Sequence, residues 1–142
     1  TTINLGGTLT VTNLAGTLEA GNAFTLFTGS LSGSITSASL PPLWPGLTWD
    51  TSSLNSAGVI RVAGARIPPQ MNFAVSGTNL VLSGSGGLAG ATYYVVSANN
   101  VATPLANWVR VATNTFAADG GFTNAIPISL ATPQAYYTIQ VP

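Results

Sequence analysis

The chain has 142 residues, enough for one medium domain or two small ones, and 46% of them are apolar, so a packed core is within reach. Charged residues make up only 4% of it: three acids (Glu19, Asp50, Asp119) against three arginines (Arg61, Arg66, Arg110), with no lysine, histidine or cysteine. That inventory excludes the basic surface on which nucleic-acid binding depends and any basic membrane-surface patch, and it leaves the redox compartment open, because oxidising locations permit disulfides without demanding them.

The chain opens directly in strand-like sequence, which we read as a mature N-terminus from which an export signal has been removed. Odd positions run Ile3, Leu5, Gly7, Leu9, Val11; even positions run Thr2, Asn4, Gly6, Thr8, Thr10, Thr12. Neighbouring side chains of a strand point to opposite faces, so this alternation predicts a half-buried strand with one apolar and one hydroxyl-rich face. Ala20-Gly21-Asn22 turns the chain into a second strand at Ala23 to Thr28, and a weaker third lies within Leu31 to Leu40. Pro41-Pro42-Leu43-Trp44-Pro45-Gly46 is irregular by composition. Leu47-Thr48-Trp49 forms a short strand, Asp50 to Ser53 turns, and Val59 to Ala63 is a further strand. These elements predict a jelly-roll-like N-terminal β-sandwich over residues 1–64, with residues 1–13 as a candidate donor strand.

Residues 65–71, with ARIPPQ at Ala65 to Gln70, read as a proline-stiffened linker. Beyond it, strands are predicted at Asn72 to Val75, Asn79 to Leu82, Thr92 to Ser97, Trp108 to Thr113, Phe122 to Ile126 and Tyr136 to Val141. Turns at Gly77, Gly84 to Gly90, Asn99-Asn100 and Asp119-Gly120-Gly121 separate them. Short strands at this spacing predict an immunoglobulin-like β-sandwich over residues 72–142, with Trp108, Phe122 and Tyr94 as core aromatics. By parity Arg110 shares a face with Trp108, and its partner is left unassigned. The fold class is therefore all-β, in two small β-sandwich domains.

Several stretches, Leu5-Gly-Gly-Thr-Leu-Thr-Val-Thr-Asn13, Gly21-Asn-Ala-Phe-Thr-Leu-Phe27, Pro45-Gly-Leu-Thr-Trp-Asp-Thr-Ser-Ser-Leu54, Asn79-Leu-Val-Leu-Ser-Gly84, Thr92-Tyr-Tyr-Val-Val96, Pro104-Leu-Ala-Asn-Trp108 and Val111-Ala-Thr-Asn-Thr-Phe116, resemble the C-terminal region of secreted bacterial autotransporter-associated β-strand-repeat proteins. The resemblance spans nearly the whole chain in order. It implies an extracellular or cell-surface β protein and no particular activity. Proteins of that kind carry a long upstream repeat region, which this sequence lacks.

Chemistry has little to work with. A Ser-His-Asp hydrolase needs a histidine base, and the chain has neither that nor a lysine or cysteine in its place. A glycosidase needs two facing carboxylates; Glu19 and Asp50 are the one candidate pair, and both also read as turn residues, Asp50 capping backbone amides. Zinc finds no His or Cys, calcium no carboxylate cluster, and Asp119 beside Gly120-Gly121 reads as a hairpin turn. The G-x-G-x-x-A match at Gly84 to Ala89 precedes a strand, so it lacks the helix that binds pyrophosphate. No catalytic, cofactor or metal site is expected. Trp44 and Trp49 flank the proline-rich loop and are candidate sugar-stacking residues, although large aromatics serve burial first. The pairs Tyr93-Tyr94 and Tyr136-Tyr137 each place one ring in the core and the other at an interface or the surface.

Self-association is the sharper expectation. Each half is of a size at which one core is marginal, and disulfides and metals are absent as staples. Edge strands are ordinarily protected by charge, especially lysine, and a net charge near zero favours association. The N-terminal segment suits strand addition, with Ile3, Leu5, Leu9 and Val11 as the inserted residues; head-to-tail donation generates filaments. The alternative for the segment is that it stays as the first strand of its own domain. Nineteen Thr and thirteen Ser make O-linked glycan a candidate modification, with Thr8, Thr10 and Thr12 as candidate positions, while no N-glycosylation sequon occurs. The expectation is thus a homopolymeric protomer of an extracellular filament or surface fibre, with no membrane span and no nucleic acid. A carbohydrate-binding or adhesive surface module is the alternative, and a glycosidase a remote one.

Overall fold

The computed structural model describes residues 2–129, 131 and 134–142. It is almost entirely β, and the chain divides into two compact units, Thr1–Ile67 and Pro68–Pro142.

The first unit holds seven strands: β1 (Thr2–Leu5), β2 (Thr8–Thr10), β3 (Ala23–Thr25), β4 (Ser30–Gly33), β5 (Ser37–Ser39), β6 (Leu47–Asp50) and β7 (Val59–Gly64). The alternating N-terminal run is not one strand. It breaks at Gly6-Gly7, where Gly7 takes φ +69°, a conformation that costs a residue without a Cβ nothing. The two pieces pair in parallel with the next two strands. Thr2, Ile3 and Asn4 of β1 stand opposite Ser30, Leu31 and Ser32 of β4; Thr8, Leu9 and Thr10 of β2 stand opposite Ser37, Ala38 and Ser39 of β5. Like faces like across each pair, hydroxyl or amide on hydroxyl and apolar on apolar, so the alternation fixes the register. The corners stack as well, because Thr36 gives both its N–H and its hydroxyl to the Gly7 carbonyl, each at 3.0 Å. A jelly roll is antiparallel throughout; four of the seven strands here pair in parallel, which corrects that part of the sequence expectation.

The remaining strands form an antiparallel sheet in the order β3-β7-β6. A four-residue helix, α1 (Leu54–Ala57), precedes β7 and ends at Gly58, whose N–H returns to the Leu54 carbonyl. The Asn55 side chain accepts the Ile35 N–H at 2.8 Å, tying α1 to the corner between β4 and β5. Trp44, Leu47, Leu54, Ile60 and Val62 are buried. The segment read as a linker is engaged at both ends: the N–H groups of Ala65 and Ile67 donate to Gly46 and Pro45, and Gln70 already belongs to the next strand.

The second unit holds β8 (Gln70–Ser76), β9 (Asn79–Ser85), β10 (Thr92–Ala98), β11 (Val109–Thr115), β12 (Phe122–Pro127) and β13 (Tyr136–Gln140), with a 3-10 turn at Leu105–Asn107. All pairings are antiparallel, in the orders β12-β9-β8 and β11-β10-β13. The core is aromatic. Tyr93, Phe116 and Phe122 are buried with ring centroids 4.6 to 5.8 Å apart. The buried tyrosine is thus Tyr93, not Tyr94, and Trp108 is only half-buried, outside β11 with its Nε1 donating to the Thr103 carbonyl. Two glycines of the G-x-G-x-x-A stretch make room for this cluster: a Cβ on Gly87 would meet the Phe116 ring, and one on Gly84 the Phe122 ring.

Candidate functional site

The residues singled out in the first unit lie as follows. Trp44 is 5% exposed, and the Arg66 guanidinium lies over its ring at 3.8 Å. Trp49 donates its Nε1–H to the Pro41 carbonyl at 2.8 Å and sits 6.0 Å from the Phe24 ring. It lines a small apolar cavity of about 80 Å³ with Val11, Leu18, Phe24 and Ile60. Glu19 pairs with Arg66 at 3.3 Å. Asp50 accepts the Ser52 N–H at 2.9 Å, and the Ser52 side chain and N–H, with Arg61 contributing less, hold its carboxyl below the ordinary 3.8. Each carboxylate therefore has its own local partner. Asp119 accepts the Gly121 N–H at 2.8 Å, closing a turn.

Ile3, Leu5 and Leu9 are half-buried in β1 and β2, and the Val11 N–H donates to the Ser39 carbonyl. The segment is held along one side only, by two short two-stranded ladders. Thr8, Thr10 and Thr12 are exposed.

The feature that sequence reading missed lies in the second unit. Register places Phe73 opposite Leu82 and Val75 opposite Leu80, and on the far side of β9 it places Asn124 opposite Leu82 and Ile126 opposite Leu80. Directly opposed residues share a face. Phe73, Val75, Leu80 and Leu82 therefore lie on the same face as Phe122 and Asn124, the face that meets Tyr93 of β10. Leu82 is buried there, yet Phe73 is 72% and Val75 70% exposed. The inner face of the edge strand β8 is uncovered.

The other three-stranded order bears on this. Asn114 of β11 hydrogen-bonds Asn124 of β12, so β11 lies over β12. Tyr136 and Tyr137 of β13 line a groove of about 430 Å³ with Phe73, Leu80, Leu82 and Trp108, so β13 lies toward β9 and β8. In each three-stranded order β13 and β8 are edge strands. Nothing among the described residues continues the sheet beyond β13. The groove lining carries no charged side chain. On the other edge, Val109 and Val111 of β11 are also exposed, while Arg110 stacks on Tyr94 at 3.4 Å.

No protein-family model, no curated protein and no solved structure matches this chain. Among the described residues no helix is long and apolar enough to cross a membrane, and no three His, Cys, Asp or Glu side chains gather as a metal site.

Proposed function

We propose that this chain is a structural protomer of an extracellular β-rich filament or surface fibre, assembling through its sheet edges by strand donation or edge pairing. One observation carries the reading: the open edge strand β8 exposes Phe73 and Val75 on its core-facing side, beside an uncharged groove. An exposed, apolar edge without charged side chains is a template for another strand, and the zero formal net charge removes the repulsion that keeps proteins apart. The extracellular setting rests on the resemblance to secreted bacterial β-strand-repeat proteins, and O-glycosylation on the exposed Thr8, Thr10 and Thr12 belongs to the same proposal. So does the immunoglobulin-like reading of the second unit, supported by two three-stranded antiparallel orders whose strands β10 and β12 meet through Tyr93 and Phe122.

The test is sedimentation velocity across a concentration series, with negative-stain microscopy of the fastest species. The intact chain is expected to form extended oligomers. Phe73→Asp is expected to sediment as a monomer with an unchanged far-UV CD spectrum, since the side chain it replaces is exposed. An intact chain that stays monomeric at the highest concentration overturns the proposal.

A further inference from the structure

We infer that the groove between β13 and β8 is a strand-acceptor site, and that its occupant is the N-terminal segment, residues 2–11, of a second copy of this chain. The inference rests on the assembly reading above and names its acceptor and donor.

The groove dictates the form of its ligand. One wall is the free edge of β13, which offers main-chain donors and acceptors; the floor is the apolar side of β8 and β9, with Phe73, Val75, Leu80 and Leu82. A ligand meeting both must be an extended backbone with apolar side chains at alternate positions pointing to the floor, which is the logic of strand addition. The uncharged lining requires an uncharged ligand. Edge-to-edge pairing of two β8 strands meets none of this, because it extends the sheet and leaves Phe73 and Val75 uncovered on the face.

Within the chain, residues 2–11 meet the specification. Ile3, Leu5, Leu9 and Val11 alternate with Asn4, Thr8 and Thr10, no charge occurs between Thr2 and Leu18, and the strands are held on one side by ladders of four and three residues. The other alternating apolar rows of the second unit are held by longer ladders: those of β9, β10 and β12 lie between or beside them, and the Met71, Phe73 and Val75 row of the edge strand β8 is held by one of seven residue pairs. A Cβ at Gly6 or Gly7 would meet nothing within 4 Å, and straightening the segment there releases the two hydrogen bonds that Thr36 gives the Gly7 carbonyl.

The absence of native cysteine makes the test free of background. The double variant Leu5→Cys/Phe73→Cys is oxidised mildly and run on a non-reducing gel, beside Leu14→Cys/Phe73→Cys, whose residue 14 is 93% exposed and more open to random collision. A docked pair reacts at high effective concentration, so the first variant is expected to give an intermolecular ladder roughly tenfold or more faster than the second. Equal rates, or a bond that forms within one chain, overturn the inference. Sedimentation of the intact chain separates the two failures: oligomers without the ladder remove the donor assignment and spare assembly, whereas monomers remove both.

Discussion

The side-chain amide of Asn124 donates a 2.7 Å hydrogen bond to the Tyr93 phenol oxygen inside the second unit. Asn124 is the one buried polar residue among those described, and its carbonyl oxygen accepts in turn from the Asn114 amide. The three residues come from β12, β10 and β11, so the network links strands of both three-stranded orders at the foot of the aromatic cluster.

Removing the phenol oxygen alone leaves a buried N–H without its partner, which costs about 1–3 kcal/mol, more than a hydrogen bond contributes when both partners go. Tyr93→Phe is therefore expected to destabilise the second unit by that amount, although it keeps the ring and its contacts with Phe116 and Phe122. Tyr93→Phe/Asn124→Leu is expected to recover part of the loss. Urea unfolding followed by near-UV CD measures both; a single variant as stable as the parent contradicts the network.

Much of the second unit was legible because its strands are rich in β-branched and aromatic residues and are bounded by Gly, Asn and Asp. All six strands lie where alternation placed them, within a few residues at their ends. Parity alone does not say which of two faces is the core, so the choice of Tyr94 as the core ring had no ground in the pattern, and the buried ring is Tyr93. A bulge at Val95/Val96 shifts the register against β11 and puts Arg110 over Tyr94, a non-local event. In the first unit the alternation of Ile3 to Val11 was visible, but a parallel partner is chosen by residues far along the chain, and Leu54–Ala57 is too short to show a helical period. The groove was the least legible. The pattern of Met71, Phe73 and Val75 marks a core-facing row, and whether anything covers that row is decided by where the opposite sheet stops.

Arg66 interacts with two groups of unequal worth. Its ion pair with Glu19 is half in water, the Glu19 side chain being 49% exposed, and such pairs contribute about 0–1 kcal/mol. Its guanidinium stacks on the buried Trp44 ring at 3.8 Å, and a partly desolvated stack of this kind contributes about 1–2 kcal/mol. Glu19→Gln is expected to change the stability of the first unit by less than Arg66→Ala does, and added salt is expected to close only the Glu19 part of the gap. Thermal unfolding monitored by tryptophan fluorescence, with and without salt, checks the order. Glu19→Gln as damaging as Arg66→Ala contradicts it.

Asp50 gives the first unit a pH dependence of known sign. The Ser52 hydroxyl and then the Ser52 N–H stabilise the carboxylate, desolvation opposes them, Arg61 opposite it in the β6–β7 ladder adds the smallest contribution, and the net effect holds the carboxyl below 3.8 in the folded chain. The unfolded chain therefore takes up this proton at higher pH than the folded one does. The stabilisation is fully present above the unfolded value and is lost as pH falls through the folded value. The difference in melting temperature between the parent and Asp50→Asn is expected to be largest near neutrality and to shrink as the solution is acidified. Ser52→Ala, which keeps the N–H but removes the hydroxyl, is expected to raise the Asp50 carboxyl part of the way toward its ordinary value, as read by a carboxyl-carbon NMR titration. A difference between parent and Asp50→Asn that stays flat with pH, or an Asp50 titration that Ser52→Ala leaves in place, contradicts the assignment of the hydroxyl as the principal partner.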